Sequence, residues 1–175
     1  INMRAFIPSS VALLLILTGS FASALDGDFT GVNPRIDFMA FLSDAKAADE
    51  VRNHHRLSEA RFIELSKQPG VVILDARSRD KFEMLHVAGA INLPYADISE
   101  PSLAKTLPDK KQVILIYCNN NFEHAPVAFE SKIVPASLNI STFISLHTYG
   151  YENVFELGLL LDVQTTRIEL IGMRQ

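Results

Sequence analysis

The single cysteine, Cys118, ends the apolar run QVILIYC (112–118) and is followed at once by Asn119, Asn120, Asn121, Phe122, Glu123 and His124. A thiol becomes a nucleophile as its thiolate, so a reactive Cys118 needs a site that favours ionisation below the ordinary thiol pKa of about 8.5. Backbone N–H groups gathered in a loop or at a helix start supply that positive partial charge. Three asparagines suit such a loop, because Asn tolerates left-handed backbone and its amide donates hydrogen bonds. His124 is placed to steer an anion or move a proton, and a solvated loop histidine fits the same position. The plainer alternative for Cys118 is a small buried hydrophobe closing a strand. One cysteine excludes an intramolecular disulfide and every multi-cysteine metal site, and the missing resolving cysteine disfavours thiol–disulfide exchange. No histidine pair has metal-ligand spacing, so neither metal nor cofactor is expected.

The elements that must position Cys118 follow from hydrophobic pattern. VVILDAR (71–77), QVILIYC (112–118) and ENVFELG (152–158) are continuous apolar runs separated by helical patterns, which argues for a parallel sheet covered on both faces. Helices are expected over about 36–54, with Ile36, Phe38, Phe41, Leu42, Ala45 and Val51 as the packed face. Others are expected at 58–67, with Ser58 as N-cap, over RDKFEML, and from about Ser137 to a stop at Gly150. AGAINLPY reads as a short strand closed by Pro94, and RIEL as a short β-like piece near the end. His54-His55 reads as a solvated helix end. Asn139-Ile140-Ser141 formally matches a glycosylation acceptor, although it falls at a helix start.

With 48% hydrophobic and 21% charged residues among 175, the chain fits one globular domain with a core of its own. Residues 3–24 have a basic start at Arg4, an apolar stretch from Val11 to Leu17 and Ala22-Ser23-Ala24 before a cut. They read as a secretory signal peptide with Met3 as the start, predicting export, and the periplasm if the source is Gram-negative. The apolar stretch is too short for a stable membrane span. The net charge of −4 becomes one unit more negative without Arg4, and no basic block stands out, which disfavours nucleic acid as a partner.

Three segments in order, VVILDARSRDKFEMLHVAGAINLPY, QVILIYC and GYENVFEL, resemble the rhodanese-like family over about residues 57–160. LDAR is similar to its strand-end Asp-x-Arg, LHVAGAINLP to its Gly-His-x-Pro-Gly-Ala-x-Asn-x-Pro segment, and GYENVFEL to its Gly-Tyr-x-x-Val-x-x-Leu strand. The resemblance implies an α/β fold, a five-stranded parallel sheet flanked by helices, with Cys118 as a sulfur carrier. Parallel sheets place ligand sites beyond their strands' carboxyl ends, where Cys118 falls. The expected organisation is a signal peptide with upstream residues (1–24), an N-terminal extension with a helix (25–56), the rhodanese-like domain (57–160) and a packed C-terminal tail (161–175).

Within that resemblance, Asp75, Arg77 and His86 are expected to be structural residues near the site, and Asn119, Asn120, Asn121, Phe122 and His124 to contact substrate. Two departures stand out. The segment from about Glu123 to Ala136 looks inserted, as a lid, an extra helix or a surface for a protein partner. The loop also lacks the Arg or Lys expected for the thiosulfate dianion. One ion pair at about 4 Å is worth roughly 4 kcal/mol at intermediate dielectric, so polysulfide or persulfide is the expected donor, with a thiol or another thiophile as acceptor. His124 stands where related phosphatases carry Arg, and an imidazole cannot reproduce a bidentate guanidinium. A sulfurtransferase is the first expectation; a noncatalytic binding or redox-sensing module on the same fold is the alternative.

Overall fold

A computed structural model of the chain describes residues 31–172, and residues 3–24, expected from sequence to be a signal peptide, lie outside them. The chain divides into two compact units, 1–36 and 37–175. Of the first, the described part is a turn in which the Asn33 side chain accepts from the Arg35 N–H.

The second unit runs α1 (Phe38–Arg52), β1 (Arg56–Leu57), α2 (Glu59–Ser66), β2 (Val72–Asp75), α3 (Arg79–Met84), β3 (His86–Val87) and β4 (Ile91–Asn92). It continues through α4 (Glu100–Thr106), β5 (Ile114–Tyr117), β6 (Phe122–Glu123), α5 (Leu138–Thr148), β7 (Val154–Leu157), β8 (Leu161–Asp162) and β9 (Leu170–Ile171). Five strands form one parallel sheet in the order β1-β7-β5-β2-β4. Strand β5 is therefore central, and Cys118 leaves the middle of the sheet's carboxyl edge.

Alternation along β5 builds two cores. Ile114 and Ile116 point into one with Ala48, Leu103, Phe143 and Leu146, beneath α1, α4 and α5. Leu115 and Tyr117 point into the other with Phe62, Phe122, Phe129 and Leu157. Burial on both faces is why β2 and β5 carry no polar alternation; each buried Leu or Ile contributes about 1.5–3 kcal/mol.

The helix starts follow local chemistry. Ser58 accepts from the Arg61 N–H at 3.3 Å, capping α2, and Gly150, at φ +82°, stops α5 in the left-handed conformation glycine adopts without strain. The chain beyond β7 pairs back onto the domain, β8 with β6 and β9 with β3.

Two expectations are corrected. The packed face of α1 is formed by Ala45, Ala48, Val51 and Arg52, while Phe38, Phe41 and Leu42 are exposed. Small alanines allow α1 to approach α5, where Thr148 donates to Asp44 at 2.9 Å, so the helix is rotated away from its larger apolar residues. His55 is half-buried, with its Nδ1 2.8 Å from the Val154 carbonyl and its ring stacked on Phe155 at 4.3 Å; only His54 faces water.

Candidate functional site around Cys118

Beside the end of β5, β2 ends in a closed charge cluster. The register sets Asp75 opposite Tyr117, and the Tyr117 hydroxyl donates to Asp75 while accepting from the Val87 N–H at 3.0 Å. Burial first, then the Asp75 carboxylate, push the phenol's pKa well above its ordinary value of 10.0. Arg77, also buried, forks onto Asp75 through Nε at 3.0 and 3.1 Å and Nη2 at 2.6 Å. Its remaining bonds reach the carbonyls of Ala128 and Leu85, and its guanidinium lies 4.1 Å from the Phe129 ring centre. A guanidinium has five N–H donors, and this one has little left for a ligand.

That arrangement also explains the segment from Glu123 to Ala136. It is stapled to the domain by Arg77 at Ala128, by Phe129 in the core, and by Lys81, whose Nζ donates to the Val127 carbonyl at 2.6 Å. Asn119 donates to the Glu130 carbonyl at 2.9 Å, and Asn120 brackets Lys132 with bonds of 2.7 and 3.1 Å.

Cys118 is 1% exposed. Its Sγ lies 3.4 Å from the Asn120 N–H, which donates to it, and 3.5 Å from the Ser137 hydroxyl. Asn119, Asn120 and Asn121 form a right-handed 3₁₀ turn; the left-handed residue of the loop is His124, at φ +64°. Asn121 is the hub, accepting from the Cys118 N–H at 2.8 Å and from Asn139 at 3.0 Å, and donating to the Leu157 and Leu159 carbonyls. The asparagine amides thus hold chain to chain, and the backbone of the turn faces the sulfur. Asn139 is buried within this network, which leaves no room for a glycan there.

Cys118, Asn120 and Asn121 line a cavity of about 160 Å³. Asn119 instead borders a neighbouring cavity of about 520 Å³, with Lys81, Tyr95 and Lys132. Phe122 and His124 line neither. The Phe122 ring is buried 4.6 Å from that of Phe129, and His124 is turned outward onto Asp162 at 3.1 Å. His86 bonds the Phe82 carbonyl at 2.6 Å and stacks on that ring, tying β3 to α3.

The structure adds residues to the Cys118 cavity that sequence reasoning missed: Ser137, Asn139, Glu156, Arg52 and Arg56. Glu156 is buried in β7 and receives Arg52 through two bonds, of 2.7 and 3.0 Å, and Arg56 at 3.3 Å. Burial raises its carboxyl above the ordinary 4.5, and the two arginines pull the other way. A signal was available: a carboxylate inside the apolar run VFEL requires a cationic partner. Among the described residues, no group of three or more His, Cys, Asp or Glu is placed to hold a metal ion.

Comparison with known proteins places this geometry. The thiosulfate sulfurtransferase GlpE of Coxiella burnetii is 32% identical over 75 residues, 43% of this chain and 67% of that protein. The thiosulfate sulfurtransferase PspE of Escherichia coli is 37% identical over 46 residues, 26% of this chain and 43% of its own length. The solution structure of the rhodanese-like domain of the Anabaena Alr3790 protein shares the fold, with a TM-score of 0.50 and 20% identity over 68% of this chain and 80% of that one. The rhodanese-like domain profile matches residues 58–158, a span that runs from the N-cap of α2 through β2, the Cys118 loop and β7. By that match over more than half its length, the chain belongs to the rhodanese-like domain family.

Proposed function

We propose that the protein is a sulfurtransferase that carries sulfane sulfur as a persulfide on Cys118, drawing it from a polysulfide or persulfide in preference to thiosulfate. The supporting observation is the position of Cys118 Sγ: at the carboxyl end of the central strand, on a cavity, within reach of the Asn120 N–H and the Ser137 hydroxyl. Both groups stabilise negative charge on sulfur. The Cys118 thiolate attacks the donor's sulfane sulfur, the donor's S–S bond breaks with its electron pair on the departing sulfur, and the new persulfide passes its outer sulfur to a thiol or other thiophile.

The preference against thiosulfate, the substrate in the names of both curated relatives, rests on charge. Asn119, Asn120 and Asn121 bring no cation, and the two arginines of the cavity share Glu156, leaving about one positive charge for a dianion. Exposed Ile133 and Val134 make the stapled segment a candidate surface for a protein acceptor, and the 3–24 segment supports export of the chain.

The near-complete burial of Cys118 favours a second reading, a noncatalytic binding or redox-sensing module. Intact-mass spectrometry after exposure to thiosulfate, polysulfide and a low-molecular-weight persulfide separates the two. The expected result is a cyanide-labile gain of about 32 Da, one sulfur atom on the thiol, lost in Cys118→Ser. No adduct from any donor would leave the binding module standing. Efficient thiosulfate-to-cyanide transfer would overturn the donor preference.

A further inference from the structure

Arg52 and Arg56 stand outside the segment that matches the family, residues 58–158, yet both border the cavity that holds Cys118. They come from the end of α1 and from β1, so an element outside the matched segment contributes the cationic wall. Glu156 offsets one of the two charges through its bonds to both guanidinium groups. The cluster therefore presents one net positive charge, and among the described residues neither Nη1 group has a hydrogen-bond partner.

A second, independent feature lies in the same cavity. Asn139 is 5% exposed, its Nδ2 is committed to Asn121, and its Oδ1 has no hydrogen-bond partner. Leaving a buried amide oxygen unpaired is costly, and a ligand N–H would recover that cost. The residues around this cavity of about 160 Å³ thus include a cationic pair, a buried amide whose oxygen is unpaired and the thiol, and its volume is well below the ~300 Å³ at which pockets for drug-sized ligands begin.

We propose that this cavity recognises an α-amino-acid persulfide: its carboxylate on Arg52 and Arg56, its ammonium on Asn139 Oδ1, and its sulfane sulfur at Cys118 Sγ. The assignment rests on the reading of Cys118 as a sulfur carrier and specifies the donor. One Sγ–S bond forms as the donor's S–S bond breaks. The electron pair leaves on the donor's inner sulfur as a thiolate, and the proton on the outer sulfur travels with it onto Cys118. One negative charge stands on each side, so no oxidant or reductant is consumed.

The test is the rate at which the full chain is loaded, read by quenched intact mass, with four donors: cysteine persulfide, cysteamine persulfide lacking the carboxylate, 3-mercaptopropionate persulfide lacking the ammonium, and inorganic polysulfide. Cysteine persulfide should load at least about tenfold faster than either truncated persulfide, as expected when a site's polar groups lose their partners. Arg56→Gln should erase its advantage over cysteamine persulfide, and Asn139→Ala its advantage over 3-mercaptopropionate persulfide. Because Asn139 also supports Asn121, the half-exposed Arg56 keeps the test valid if Asn139→Ala fails to fold. Equal rates for the three persulfides, or an advantage over cysteamine persulfide that survives Arg56→Gln, would overturn the assignment. Polysulfide loading with a flat persulfide series removes the amino-acid site alone. No loading from any donor removes the carrier reading, and the site with it.

Discussion

Two charge clusters sit on the strands that flank β5 on either side, β2 and β7, and they are built in opposite ways. At the end of β2, Asp75 and Arg77 are both buried, their charges cancel, and their hydrogen bonds end on Tyr117, Ala128 and Leu85. In β7, Glu156 is buried but its arginines reach toward solvent, with side chains 22% and 50% exposed, and the group keeps a net positive charge on a cavity. A closed cluster fixes geometry, since nothing in it is free to change partner. An open one keeps donors for a ligand and contributes less to stability. Cys118 lies between them, with its loop anchored on one side and its sulfur on the cavity of the other.

Breaking the closed cluster should have the larger effect. Arg77→Met leaves the Asp75 carboxylate buried without its cation and frees the Ala128 carbonyl that anchors the stapled segment. A loss of about 3–5 kcal/mol is expected in urea or guanidinium unfolding, a large part of a domain's total stability. Arg56→Gln, made in the open cluster, should cost under about 1 kcal/mol, because its partner keeps Arg52 and its own side chain is half in water. Equal losses in the two variants would remove the distinction.

The two clusters also differ in how much of each could be read from sequence. Asp75 and Arg77 are two residues apart, so local spacing exposes their pairing, as it does the Cys118 strand and the Ser58 cap. Glu156 meets Arg56 because β1 pairs with β7 at the sheet edge, and Arg52, 104 positions away from it, arrives on the end of α1. No local pattern carries that pairing, although a charge inside VFEL demands a partner somewhere. The packed face of α1 departs from its periodicity for a related reason: large apolar residues dominate the periodic pattern, while two alanines decide where the helix packs. The Asn119–Asn121 turn and the left-handed His124 were legible as a loop but not in their assignment, because propensity ranks Asn above His for positive φ and the tertiary bonds at Asp162 and Asn121 override it.

A pH titration sharpens the open cluster. Burial raises the folded-state pKa of Glu156 above 4.5, so the folded protein holds this proton more tightly than the unfolded chain does. Its contribution to stability is fully present below the unfolded value and is lost as pH rises through the folded one. The stability of the native protein relative to Glu156→Gln should therefore fall as pH rises from about 4.5, and level off once the folded carboxyl is ionised. A carboxylate governed by its arginines would show the reverse slope. Parallel stability curves across that window would mean that burial and the two arginines cancel at Glu156.

The smallest expected effect concerns the cation missing from the Cys118 loop. His124 is the residue there that can acquire positive charge near neutral pH, but its ring is held by Asp162 on the outer side, away from both cavities. The Asp162 hydrogen bond, then its negative charge, raise the imidazole above its ordinary 6.5. For a histidine raised in this way, the interaction is present below the unfolded pKa and disappears as pH rises through the folded one. NMR of the ring protons should give a midpoint above 6.5 in the native protein, returning toward 6.5 in Asp162→Asn. With the charge spent on Asp162, thiosulfate should perturb the His124 resonances no more than chloride at equal ionic strength. A specific thiosulfate shift at His124 would instead show that the ring leaves Asp162 for an anionic donor, and would return to the loop the positive charge that the open cluster otherwise has to supply.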